Sequence, residues 1–218
     1  AVNKLKISKS RIVLEGGYAK EAGKPENRVD FSYLARRANQ KGIPLKWQGY
    51  FDPDTVPLDP ETGQGVPYAT YAFASQLSLL TVDTLTGEVS VEKIFAAHDV
   101  GKAIHPANVK GQICGGIAMG MGFALMEEFT PGQTLSMKDY QIPTVADVPE
   151  IVPIIVESAE PTGPFGAKGV GESPNVGGVP AFSNAVNDAF AHLDVTHIQM
   201  PHDNWRTWKV CEKLGLTG

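Results

Sequence analysis

The first 42 residues change rhythm from strand to helix. Arg11-Ile12-Val13-Leu14-Glu15-Gly16-Gly17 is a short β-type run closed by two glycines, the pattern of a strand ending in a turn. Asp30 is then placed to cap a helix over 31–39. That helix would carry Phe31, Leu34, Ala35 and Ala38 on one face, with Gly42 beyond its end. A polar stretch rich in proline and glycine follows over 52–67, with the turn sequences Asp52-Pro53-Asp54 and Asp59-Pro60-Glu61-Thr62-Gly63. It reads as a long surface loop, dividing an outer layer (1–66) from the main core (67–218) of one domain.

Two β-rich runs, 68–82 and 88–98, flank Asp83-Thr84-Leu85-Thr86-Gly87, a hairpin signal in which Gly87 suits a positive φ. Val89, Val91 and Ile94 fall out of strict alternation, which predicts a bulge near Lys93. Over 111–128 the period changes again: Ile113, Ile117, Met121 and Leu125 recur every fourth residue, the stripe of a buried helix. Gly115, Gly116, Gly120 and Gly122 each cost that helix about 1 kcal/mol relative to alanine, so close contact with another element or a ligand is expected there. A strand over 151–157 leads into a glycine loop. Ser173-Pro174 then reads as an N-cap with proline at the first helical position, and the helix continues through Val179, Ala181, Ala185, Val186 and Phe190. A last strand is expected over 196–200 and a last helix over 204–214, stopped by Gly215. The sum is an α+β fold, a mixed sheet with packed helices.

Composition narrows the function classes. At 218 residues the chain can bury one sizeable core or two small ones. The net charge of -5, without any Lys/Arg cluster, argues against a nucleic-acid surface. Cys114 and Cys211 form no CxxC pair and no disulfide framework, which favours a reducing, cytoplasmic setting. The apolar segment 113–126 falls short of the roughly 20 residues of a membrane span. Ala1-Val2-Asn3-Lys4-Leu5 lacks the apolar run of a signal peptide. A soluble protein is expected.

The candidate chemistry centres on Gly163-Pro164-Phe165-Gly166-Ala167-Lys168-Gly169-Val170-Gly171-Glu172-Ser173-Pro174, where four glycines fall within nine residues. Such a loop, ending at a helix start, collects unpaired N–H groups and positive dipole character suited to an anion or an oxo group. Its spacing fits neither Gly-x-Gly-x-x-Gly nor the phosphate loop that ends in Gly-Lys-Ser/Thr. Glu172 is either an ionised proton acceptor held near the helix start or a solvated carboxylate beside a tight turn. Gln112, at the start of the glycine helix, offers donors and an acceptor to a flat heteroaromatic ligand, or it faces solvent. His98, His105, His192, His197 and His202 show no zinc-ligand spacing, so no metal held by protein ligands is expected. A Gly-x-Ser-x-Gly elbow is absent from the sequence as well.

In order along the chain stand Thr81-Val82-Asp83-Thr84-Leu85-Thr86-Gly87-Glu88-Val89, Ala97-His98-Asp99-Val100-Gly101-Lys102, Gly111-Gln112, Ala124-Leu125-Met126-Glu127-Glu128, Tyr140-Gln141-Ile142-Pro143-Thr144 and Gly166-Ala167-Lys168-Gly169-Val170-Gly171-Glu172. This series resembles the molybdenum-binding subunit of the xanthine dehydrogenase and aldehyde oxidase family, and specifically its C-terminal part. His105-Pro106 departs from the Asn-Pro of many relatives, and no role is carried over to His105. The resemblance implies that Glu172 is the general base. It further implies that Gly111, Gln112, Lys168, Gly169, Val170 and Gly171 line the molybdopterin, with molybdenum held by the pterin dithiolene rather than by the protein. The reaction implied is hydroxylation of a heteroaromatic ring or oxidation of an aldehyde. The implied cofactor is molybdopterin, in the cytosine dinucleotide form, with FAD and 2Fe-2S clusters on partner chains. The implied partners are the N-terminal half of the molybdenum-binding subunit, an iron–sulfur subunit and an FAD subunit, without which this chain should not turn over substrate. A non-catalytic scaffold that keeps the fold without the cofactor is the alternative.

Overall fold

The structure, a computed structural model, describes residues 1–195 and 197–217. The chain divides into two compact units, Ala1–Asp52 and Pro53–Gly218.

In the first unit, a short helix α1 (Val2–Leu5) precedes an antiparallel meander of β1 (Ile12–Glu15), β2 (Tyr18–Glu21) and β3 (Lys24–Asp30), followed by α2 (Phe31–Gln40). Leu5, Ala19 and Val29 form its small core. Asp30 caps α2 as its position predicts: Oδ1 accepts from the backbone N–H groups of Ser32 (2.7 Å) and Tyr33 (3.3 Å). Strands β2 and β3 were not legible, because Lys24-Pro25-Glu26-Asn27-Arg28 carries no apolar alternation.

The second unit is built on β4 (Ala74–Val82), β5 (Val89–Asp99) and β6 (Glu150–Val156), in the order β4-β5-β6. The β4–β5 pair is antiparallel and β5–β6 parallel, so the sheet is mixed. The register shifts between Leu79 and Leu80, which face Lys93 and Val91, so Glu92 is the extra residue and the expected bulge is present. Strand pairing begins at Ala74, six residues later than the β-rich run. Pro153, which lacks an N–H, is tolerated because β6 is an edge strand.

Helix α3 (Pro106–Leu125) links β5 to β6, and α4 (Ser173–Ala191) packs beside it. Ile113, Ile117, Met121 and Leu125 are all buried, facing Ile94 and Ala96 of the sheet and Phe182, Val186 and Phe190 of α4. Helix α3 begins five residues before Gly111, with Pro106 in its first turn and the His105 ring accepting from the Asn108 N–H at 3.1 Å. Helix α4 begins at Ser173 itself, one residue earlier than expected, with Glu172 at the N-cap position. The reason is a tertiary contact: the Ser173 hydroxyl is engaged by His98 of β5 and caps nothing.

Helix α5 (Asn204–Lys213) is capped by Asp203 and followed by Gly215 at φ 69°. Of the strand expected over 196–200, Thr196 lies outside the described residues and 197–200 carry no strand. There the Ile198 N–H donates to the Asn187 side chain (2.7 Å), a partner on α4 where a ladder would need another strand.

Candidate functional site

The glycine loop is laced to the end of β5. Its backbone pairs with the turn after the strand: Lys168 N–H donates to Val100 O (2.9 Å) and Lys102 N–H to Gly166 O (2.7 Å). Gly101 adopts φ +60°, and a Cβ there would collide with the Gly166 carbonyl, so the approach requires glycine. An ion pair fastens the same point: Lys168 Nζ lies 2.7 Å from Asp99 Oδ2, with both side chains about nine-tenths buried. Asp99 Oδ1 accepts from the Gly101 N–H (2.9 Å) and the Ser158 N–H (3.3 Å). The Lys168 hydrogen bond holds the Asp99 carboxyl below its ordinary range, with those two backbone donors adding to the effect.

A second tether comes from Glu160, which accepts from the Thr70 hydroxyl at 2.7 Å while its N–H donates to Gly166 O. The hydroxyls of Thr162 and Thr70 push its carboxyl down to about 2. Thr70, Ala72, Lys168, Gly169, Gly171, Glu172, Ser173 and Val176 together line a groove of about 450 Å³. Glu172 is exposed in that groove, at the N-cap of α4, and its side chain makes no cap hydrogen bond. Gly169 and Gly171 leave open space where a Cβ would be, so the loop presents bare backbone. Val170 turns its side chain toward the core instead.

Helices α3 and α4 run parallel. Gly116 lies against Pro174 and Asn175, and one turn later Gly120 lies against Asn175, Gly178 and Val179. Both N-termini therefore point the same way, with the start of α4 set against the middle of α3 at Gly116. Gly111 and Gln112 are exposed on α3, with Gln112 one turn before Gly116. They stand outside the residues lining the groove, toward the same end of the helix pair. The structure thus brings Lys168, Gly169, Gly171 and Glu172 to one groove and sets Gly111 and Gln112 on the neighbouring helix.

Sequence reasoning missed a buried polar cluster behind Glu172. Gln76 Nε2 lies 3.1 Å from His98 Nε2 and 3.1 Å from Pro174 O, while His98 Nδ1 lies 3.2 Å from Ser173 Oγ. His98 is fully buried, and desolvation lowers its pKa, keeping the ring neutral. A signal was present: Gln76 and His98 share the inward faces of their strands with the apolar Leu80, Val82, Ile94 and Ala96, with Ser78 between Gln76 and Leu80. The Asp99–Lys168 pair was missed as well, although a carboxylate at a strand end calls for a partner. Among the described residues, no three His, Cys, Asp or Glu side chains are grouped to hold a metal ion.

A groove of bare backbone beside a carboxylate, at the N-terminus of α4, suits a bound group rich in oxygen and hydrogen-bonding edges. Residues 1–149 match the model of the molybdopterin cofactor-binding domain, and the chain belongs to that family. The carbon monoxide dehydrogenase large chain of Afipia carboxidovorans is 38% identical over 206 residues, 86% of this chain and 25% of that protein. The nicotine 6-hydroxylase large subunit of Paenarthrobacter nicotinovorans is 31% identical over 92% of this chain and 25% of its own length. Among solved structures, the Cu,Mo-CO dehydrogenase superposes with a TM-score of 0.72 at 33% identity, covering 100% of this chain and 27% of that one. Quinoline 2-oxidoreductase from Pseudomonas putida 86 gives 0.68 at 29%, covering 98% and 27%. The chain spans about a quarter of the length of these relatives. The family match ends before the glycine loop, so the reading of Glu172 rests on the loop itself.

Proposed function

We propose that this chain supplies the general-base carboxylate and part of the molybdopterin site of a molybdenum hydroxylase. The observation that carries the reading is Glu172: exposed in a groove, at the end of a backbone loop pinned by Asp99–Lys168 and free of any capping bond. The bound cofactor would supply the redox chemistry that oxidises the substrate. The chain's own groups would do the rest. The Gly169 and Gly171 backbone gives close approach without side-chain obstruction, and Val170 anchors that backbone to the core. Lys168, neutralised by Asp99, would contribute position rather than a free charge. Gln112, with Gly111 bare beside it, would offer its amide to the pterin edge. Glu172 would accept a proton at a carboxylate oxygen as the reaction begins, and pass it to solvent through the open side of the groove.

The remaining elements of this reading follow the relatives. Relatives named for carbon monoxide, nicotine and quinoline support a small-molecule substrate, with a heteroaromatic ring or an aldehyde as the class proposed here. The names "large chain" and "large subunit" support assembly with other chains, taken here as the N-terminal half of the molybdenum-binding subunit, an iron–sulfur subunit and an FAD subunit. The cofactor is taken as the cytosine dinucleotide form. No helix among the described residues is long and apolar enough to cross a membrane, and a cytoplasmic setting is proposed.

The test is Glu172→Gln in the assembled enzyme. Turnover is expected to fall by about 10²–10⁴ at unchanged molybdenum content. Near-parental turnover would overturn the base assignment, and a complex purified with neither molybdenum nor pterin would favour the scaffold.

A further inference from the structure

The cluster behind Glu172 has a defined direction. Pro174 O can only accept, so the Gln76 atom beside it must be the NH₂ nitrogen. The same nitrogen lies 3.1 Å from His98 Nε2, which must therefore be the unprotonated, accepting ring nitrogen. A neutral imidazole carries one proton, so here it sits on Nδ1 and is donated to Ser173 Oγ. A serine hydroxyl has a single proton of its own. With His98 as donor, that proton is left to donate, and Ser173 makes no other side-chain hydrogen bond among the described residues. Ser173 lines the groove next to Glu172.

The arrangement is built at a cost. Gln76 and His98 lie on the inward face of the sheet beside Leu80, Ile94 and Ala96, where polar groups destabilise unless bonded, and Gln76 Oε1, like the Ser78 hydroxyl on the same strand face, has no partner among the described residues. Helix α4 also gives up a side chain to admit the amide: a Cβ on Gly177 would stand 2.7 Å from Gln76 Nε2. A fold needing only to seat α4 on the sheet would use apolar residues at 76 and 98.

We propose that Ser173 donates its hydroxyl proton to an acceptor atom of the group bound beside Glu172, with His98 and Gln76 as the positioning residues that orient it. This inference rests on the molybdopterin-site reading above. It separates two neighbouring roles: Glu172 accepts a proton during the reaction, and Ser173 gives a standing hydrogen bond.

The test uses the assembled holoenzyme reduced with dithionite, read by the molybdenum(V) EPR signal in H₂O and D₂O at matched molybdenum content. Ser173→Ala is expected to shift the signal and remove one exchangeable-proton coupling, while Ser173→Thr, which keeps the hydroxyl, keeps the parental signal. His98→Leu is expected to shift the signal as Ser173→Ala does, with no further shift in the double variant. Should His98→Leu fail to assemble, Ser173→Ala decides, since that side chain caps nothing. A Ser173→Ala spectrum superimposable on the parent's overturns the proposal. A loss of molybdenum in Ser173→Ala that Ser173→Thr restores supports it, and a loss that Ser173→Thr does not restore overturns it. Glu172→Gln stands apart: intact turnover in that variant removes the base, whereas the Ser173→Ala spectrum reports the hydroxyl directly.

Discussion

Gly116 of α3 and Pro174 of α4 meet so closely that a Cβ on Gly116 would stand 2.6 Å from the proline Cβ and 3.0 Å from the Asn175 nitrogen. Pro174 lies two residues beyond Glu172, so the contact that seats α4 on α3 also sets the height of the carboxylate.

Gly116→Ala is accordingly expected to destabilise by about 1–3 kcal/mol, the usual cost of overpacking, despite alanine's better helix propensity. Gly115→Ala, one residue away with nothing within 4 Å, is expected to be neutral or to stabilise by up to about 1 kcal/mol. Thermal unfolding of the assembled enzyme compares the two. The pair separates close packing from helix propensity, because only the surroundings of the new methyl differ.

Lys168→Met leaves the Asp99 carboxylate buried without its cation. A loss on the order of 3 kcal/mol is expected, the low end for breaking a buried pair, because both side chains keep a little solvent contact. Adding Asp99→Leu should recover part of that loss, and unfolding measured on all three variants gives the coupling.

Acid should weaken the same tether. The Asp99 carboxyl is held below its ordinary value, so the unfolded chain binds this proton more readily than the folded one. Its contribution is complete above the unfolded value of about 3.9 and is lost as pH falls through the lower folded value. Stability measured below about pH 4 should therefore fall more steeply in the parent than in Lys168→Met.

Gly101→Ala places a methyl against the Gly166 carbonyl from a left-handed backbone. At least about 1 kcal/mol of strain is expected, relieved by releasing the glycine loop from β5. Turnover normalised to molybdenum content should drop while Gly132→Ala, also at positive φ but in open space, leaves it unchanged.

Much of this protein could be read from its residues alone. The four-residue apolar stripe of α3, the Asp83–Gly87 turn, the bulge beside Lys93 and the Asp30 cap are local signals, and local signals survive without the rest of the fold. The glycine loop and Glu172 were legible for the same reason: glycine density and a lone carboxylate before a helix are properties of a short segment. Tertiary structure decided what joins segments far apart in sequence. It paired Lys168 with Asp99, and it ran α3 and α4 parallel so that Gln112 and Glu172 stand toward one end. It also placed Gln76 and His98 behind Ser173. Each of these depends on which faces meet across the sheet–helix layer, and a burial pattern names a face without naming its partner. The helix start moved to Ser173 on those grounds, because a histidine from β5 engaged the hydroxyl that the sequence offered as a cap.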